Sequence, residues 1–134
     1  MKVGTKLARS FFEEVWKPPH NLDAIDDLMT DDYMIVSGGK AIEGRDSYKK
    51  WVAQFQKKLL EAENEHLDLF ESADGDKVVS RWICKGRNNG LMNTEPDGRE
   101  VAFTGIAIWE VRDGLLAKCW VERAGWELYQ ELVR

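Results

Sequence analysis

The chain has 134 residues, 43% hydrophobic and 32% charged, with a formal charge of −5 and six tryptophans. That places it with soluble globular proteins, as one domain over residues 1–134 with enough chain to enclose a core. The acidic balance and the lack of any long Lys/Arg run argue against a nucleic-acid partner, and no stretch approaches the ~18 apolar residues of a membrane span.

Leu7, Phe11 and Val15 recur at helical spacing, with Ala8, Phe12 and Trp16 one position on, predicting a first helix over about Thr5–Trp16. Met1–Lys6 leads into this charged amphipathic helix and does not read as a signal-peptide core, so a cytoplasmic location is expected. Pro18-Pro19 ends the helix, since proline lacks the amide hydrogen. Asn21 reads as the N-cap of a short second helix, Leu22–Met29, followed by a first strand, Tyr33–Val36, and a turn at Ser37-Gly38-Gly39. A third helix opens at Gly44-Arg45-Asp46 with Asp46 as its cap. Tyr48, Trp51, Val52, Phe55 and Leu59 form its apolar stripe, and its lysines form the solvated side.

A polar stretch, Glu61–Asn64, separates that helix from a second strand, His66–Glu71. A turn at Ala73–Asp76 leads to a third strand from Lys77 to about Gly86, and a loop from Arg87 to Gly98 follows. The stretch Arg99–Arg123 predicts a long β-hairpin turning at Asp113-Gly114, because Asp-Gly between apolar runs suits a type I′ turn. Trp126–Val133 closes the chain as a short helix. Helices come early and an antiparallel sheet late, which predicts an α+β fold with a curved sheet wrapped around helices.

A two-residue turn would pair Val111 with Leu116, Trp109 with Lys118, Ala107 with Trp120, and Gly105 with Glu122. These would share one face, and Ile106, Ile108, Cys119 and Val121 the other. Small residues beside Trp120 and Glu122 would leave a hollow for a small apolar ligand with one polar handle. The other reading of the same face is plain core packing, with Glu122 reaching solvent. A carboxylate in an apolar hollow has its pKa raised by desolvation, which suits acid/base work. A simple ion pair of Glu122 with Arg123, Arg99 or Lys118 stands beside that.

No Gly-rich phosphate loop and no His/Cys spacing of a metal site is present, so neither nucleotide nor metal nor another cofactor is expected. His20 reads as a surface turn residue, and His66 begins a strand. Cys84 and Cys119, both in predicted strands, read as buried thiols.

The segments Arg9–Trp16, Asn21–Leu28, Asp32-Tyr33, Gly75–Val79, Asp97-Gly98-Arg99, Phe103–Ile108 and Val111–Gly114, with Trp120 and Leu128, fall in a familiar order. Together they resemble the SnoaL-like polyketide cyclase family of the nuclear transport factor 2-like superfold, over about residues 6 to 132. The resemblance implies a cone-shaped α+β barrel with an apolar cavity, often a homodimer through the convex sheet face. It also implies acid/base cyclisation or isomerisation of an apolar, oxygenated small molecule without metal or nucleotide. On that reading Glu122 is the acid/base and Asn88, standing where cyclases carry a histidine, donates a hydrogen bond. Trp82, Trp109 and Trp120 are the apolar walls, with Tyr33 and Phe103 also substrate-binding. Arg81 joins them because it matches, with Glu122, two active-site positions of the limonene epoxide hydrolases of this superfold. Where many members carry an aspartate after the last-strand tryptophan, Ala124 stands here. The other reading is a non-catalytic ligand-binding or scaffold protein that kept the cone.

Overall fold

In the computed structural model, which describes residues 3–134, the first apolar stripe forms helix α1 (Val3–Glu14). The part of the N-terminal reading that falls on Met1 and Lys2 lies outside the described residues. Helix α1 buries Ala8, Phe11 and Phe12, and Val15 and Trp16 stay buried as the chain leaves it. A short helix α2 (Ala24–Leu28) runs straight into strand β1 (Met29–Ser37). The chain then turns at Gly38-Gly39, both at positive φ, into strand β2 (Lys40–Glu43). The sequence pattern does not predict β2, because its four residues lie at the sheet edge, mostly exposed, and lack apolar alternation.

Helix α3 (Arg45–Lys58) has Gly44 at its N-cap, with φ at 94°, and the predicted cap Asp46 sits in its first turn. Strand β3 (Leu59–Glu71) begins where α3 ends, so the stretch expected to be a polar connection is sheet. Its alternation is hidden by two irregularities. Glu61, at φ 58°, is one extra residue against β4 (Lys77–Asn88), and a second register shift falls between His66 and Asp68. Strands β5 (Glu100–Arg112) and β6 (Leu115–Arg123) and helix α4 (Gly125–Leu132) complete the chain. The six strands form one sheet in the order β2-β1-β6-β5-β4-β3, antiparallel except where β1 runs parallel to β6. Its concave face closes over α1 and α3, giving the α+β architecture the pattern predicts.

The hairpin turns where expected, with Asp113 and Gly114 both at positive φ, but its register differs. Val111 pairs with Leu116 as counted, and the next pair is Glu110 with Lys118, so Ala117 is an extra residue in β6. From there every partner moves by one, and a one-residue shift exchanges the two faces of a strand. Trp109 now pairs with Cys119, Ala107 with Val121 and Gly105 with Arg123. Trp120 and Glu122 therefore stand opposite Ile108 and Ile106 on the convex face, while Cys119 and Val121 turn inward and are buried. The bulge lets the consecutive apolar residues Leu116 and Ala117 both be buried, which regular alternation forbids.

Candidate functional site

The concave sheet face, α1 and α3 enclose an aromatic cavity of about 40 Å³, room for a few water molecules. Phe11 and Phe12 come from α1, and Tyr48, Trp51 and Phe55 from α3. The sheet contributes Tyr33, Trp82, Cys84, Phe103, Trp109, Cys119 and Arg123. The rings hold one another edge-on, Phe11 against Trp109 at 84° and Trp82 against Phe103 at 79°. Glycine is required at position 105. A Cβ there would collide with the Trp82 ring, which lies over Gly105 beside its other cross-strand neighbour, Arg123.

Polar groups also line this apolar space. The Tyr33 hydroxyl, the Trp109 indole Nε1 and the Asn64 Oδ1 are buried and lack a hydrogen-bond partner. The Trp109 indole and the Cys119 thiol lie near enough to the Tyr33 hydroxyl to affect its ionisation, yet neither makes an aligned hydrogen bond with it. Arg123 lines it too. Its guanidinium carbon sits 5.2 Å from the centre of the Trp51 ring, and its Nη1 donates to the Ser37 hydroxyl at 3.1 Å. Among the described residues, no carboxylate pairs with Arg123.

Burial decides the protonation of the cavity groups. Desolvation pushes the Cys84 and Cys119 thiols up to about 12, against the pull of the nearby Arg123 charge. Both stay protonated at neutral pH and are poor nucleophiles. Desolvation likewise holds the Tyr33 phenol well above its ordinary value, so it remains a hydrogen-bond donor.

Of the candidates read from the sequence, Tyr33, Trp82, Phe103 and Trp109 line the cavity together. The others stand elsewhere. Glu122 is exposed on the convex face, where its carboxylate accepts the Gly38 N–H at 2.9 Å. Trp120 is on the same side, with the Lys118 ammonium 4.6 Å from its ring centre. Both corrections follow from the extra residue at Ala117. Arg81 is exposed and pairs with Asp68 across β3 and β4 at 2.6 Å, on the face opposite Trp82 and Cys84.

Asn88 is fully buried, but its amide is occupied by its own loop. Its Oδ1 accepts from Gly90 N–H at 3.1 Å and Leu91 N–H at 2.9 Å. Its Nδ2 donates to the Glu95 carbonyl at 2.8 Å and to Asp97 Oδ1 at 3.2 Å. That amide organises the loop between β4 and β5 and does not face the cavity.

Sequence reasoning missed Arg123 and Asn64. Arg123 shares a face with Cys119 and Val121 by simple alternation, so the signal was present once those two are placed inside; Asn64 left none. His66 is held between elements. Its Nε2 meets the Ala8 carbonyl at 3.1 Å, so that nitrogen carries the hydrogen, and in the neutral ring Nδ1 accepts from the buried Ser80 hydroxyl at 2.6 Å. Its ring stacks on Phe12 with 3.9 Å between centroids. Among the described residues, no group of three or more His, Cys, Asp or Glu side chains is placed to hold a metal ion. None of the helices described is long and apolar enough to cross a membrane.

The fold and cavity define a curved-sheet α+β cavity protein of the nuclear transport factor 2-like kind. The SnoaL-like domain model matches residues 8–119, and the chain belongs to that family. A candidate SnoaL-like polyketide cyclase from Jannaschia sp. CCS1 superposes with a TM-score of 0.88 at 16% identity, over 97% of this chain and 91% of that one. A candidate polyketide cyclase from Acidithiobacillus ferrooxidans gives 0.86 at 22% identity, over 99% and 95%. An LEH-like epoxide hydrolase of M. tuberculosis gives 0.76 at 16% identity, over 98% and 86%. No curated protein matches the sequence.

Proposed function

We propose that this chain takes up a small, mostly apolar, oxygen-bearing molecule in its cone. The observation that supports this is the cluster of partnerless polar atoms on the Tyr33 hydroxyl, Trp109 Nε1 and Asn64 Oδ1, all lining one apolar cavity. Native proteins rarely leave buried polar atoms unsatisfied, and an oxygen of a bound molecule would complete the first two. Even a one-ring ligand would have to displace the aromatic walls, since the space is only about 40 Å³.

Conversion is a second reading, and the same two donors favour it. The Tyr33 hydroxyl and the Trp109 N–H could stabilise the oxygen of an enolate formed during isomerisation or cyclisation. Among the described residues, the cavity lining contains no carboxylate and no histidine, so the proton would have to leave to solvent or to the substrate itself. This weakens the acid/base role read for Glu122 and Asn88 and places ligand binding first.

The test is a thermal-shift screen of oxygenated ketones, esters and carboxylates, from one ring upward, with turnover followed for every hit. A ligand at 100 times its dissociation constant adds about 2.7 kcal/mol, a rise of several degrees for a domain of this size. Tyr33→Phe should weaken a hit by about tenfold, the worth of one buried hydrogen bond, and Glu122→Gln should leave it unchanged. No stabilisation by any compound, or equal affinity of Tyr33→Phe and wild type, overturns the reading.

We also propose that the protein is a cytoplasmic homodimer joined through the convex face. There Val36, Trp120, Ile108, Val79 and Phe70 are successive cross-strand partners from β1 to β3, an apolar row with Phe70 57% exposed. Beside it Ile106 is 52% exposed. Such a row is what a second copy would cover. Light scattering at micromolar concentration should give twice the chain mass, and Ile108→Lys should give the monomer. A monomeric wild type overturns it.

A further inference from the structure

Among the described residues, Arg123 is the one charged side chain lining the cavity. It occupies the last position of β6, four residues beyond Cys119, which at the rise of a strand is about 13 Å along the chain. Cys119 marks the level of Tyr33 and Trp109, so the cation and the hydrogen-bonding groups of the lining stand at different levels along β6. By register Ala107 and Val121 lie between these two levels, Trp82 stands level with Arg123, and Phe103 lies one inward position beyond it. The guanidinium is held by its contact with the Trp51 ring and its bond to Ser37, yet among the described residues no carboxylate answers its charge. Its field reaches inward, being felt at Tyr48, Cys84 and Cys119. A half-buried cation with one hydroxyl partner retains several free N–H donors.

We propose that Arg123 is the anchor for a carboxylate, and that the ligand of this cavity is a small planar organic acid. Its ring would lie beside Ala107 and Val121, between the levels of Arg123 and Cys119, with any oxygen at its far end meeting Tyr33 and Trp109. The proposal rests on the cavity-binding reading above and narrows it to one ligand class. A planar carboxylate fits this cavity better than a phosphate. One guanidinium offers a flat, forked pair of donors that matches a carboxylate in charge and shape, whereas a phosphate dianion calls for further cations or backbone N–H groups. The small volume favours the smallest aromatic acids, and the walls would have to part even for one ring.

The experiment is isothermal titration of the intact protein with benzoate and 4-hydroxybenzoate, each against its neutral amide. The acids should bind at least about tenfold tighter than the amides, as expected for charge-assisted hydrogen bonds. Arg123→Met should abolish that preference, and Arg123→Lys should keep part of it. Equal binding of acid and amide overturns the carboxylate assignment and leaves the cavity reading standing. A preference that survives Arg123→Met overturns the role of Arg123. Silence from both pairs overturns the proposal, and silence across the wider panel as well overturns the cavity reading with it. If Arg123→Met does not fold, the acid-against-amide comparison in the wild type decides.

Discussion

Asn88 and Tyr33 are both completely buried polar side chains, and they are opposites. The Asn88 amide spends its bonding capacity on the loop between β4 and β5, with backbone N–H groups on its oxygen and acceptors around its nitrogen. The Tyr33 hydroxyl has no partner. A buried polar group that is satisfied holds a structure together, and one that is not satisfied marks where something else can bind. The contrast separates scaffold from site in a chain whose resemblance to a family would have assigned both residues to the site.

Breaking the satisfied member should have the largest effect. Asn88→Ala leaves several loop groups buried without partners and should destabilise the fold by about 3 kcal/mol. Urea unfolding should show a lower midpoint with the slope unchanged. A loss under about 1 kcal/mol would mean that water replaces the amide and that the loop does not depend on it.

His66 sharpens the comparison, because it is satisfied in only one protonation state. Burial is the main cause lowering its pKa, with the Ala8 carbonyl acting the other way. The unfolded chain therefore binds a proton more readily, so stability is complete above the ordinary histidine value of about 6.5 and falls as pH drops below it. The thermal midpoint should decline between roughly pH 7 and pH 5 more steeply in wild type than in His66→Gln. Parallel profiles would show that the staple between α1, β3 and β4 does not titrate. The smallest effect belongs to Tyr33→Phe without ligand, within about 0.5 kcal/mol of wild type, since it removes a group that bonds to nothing. A large loss in that variant would reveal a hidden partner for the hydroxyl.

Much of the architecture was legible because it is written in periodicity. The helical stripe from Tyr48 to Phe55, the Asp113-Gly114 turn and the alternation along β4 all produce the elements they predict. Alternation on β4 also puts Trp82 and Cys84 on one face and Arg81 on the other, as observed. What could not be read is where a strand takes an extra residue. Ala117, Glu61 and the shift near Leu67 leave no mark in composition, yet each moves every residue beyond it to the other face. For that reason the hollow predicted beside Glu122 lies around Arg123. The aromatic walls survive such an error because rings lie along most of the inward face. A single polar residue has no such redundancy, which is why Glu122 and Arg123 changed places.

The parallel pairing of β1 with β6 has a consequence for how the molecule is made. Residues 29–37 hydrogen-bond to residues 115–123, so the first strand has its inner neighbour only after most of the chain exists. At a synthesis rate of about 5–20 residues per second, β1 waits on the order of 4–16 s for that partner. During the wait, Tyr33 and Ile35 have no sheet to cover them on that side, and a contact so distant along the chain is slow to form. The cavity therefore cannot close before the β6 strand bearing Cys119, Val121 and Arg123 has been made and set between β1 and β5.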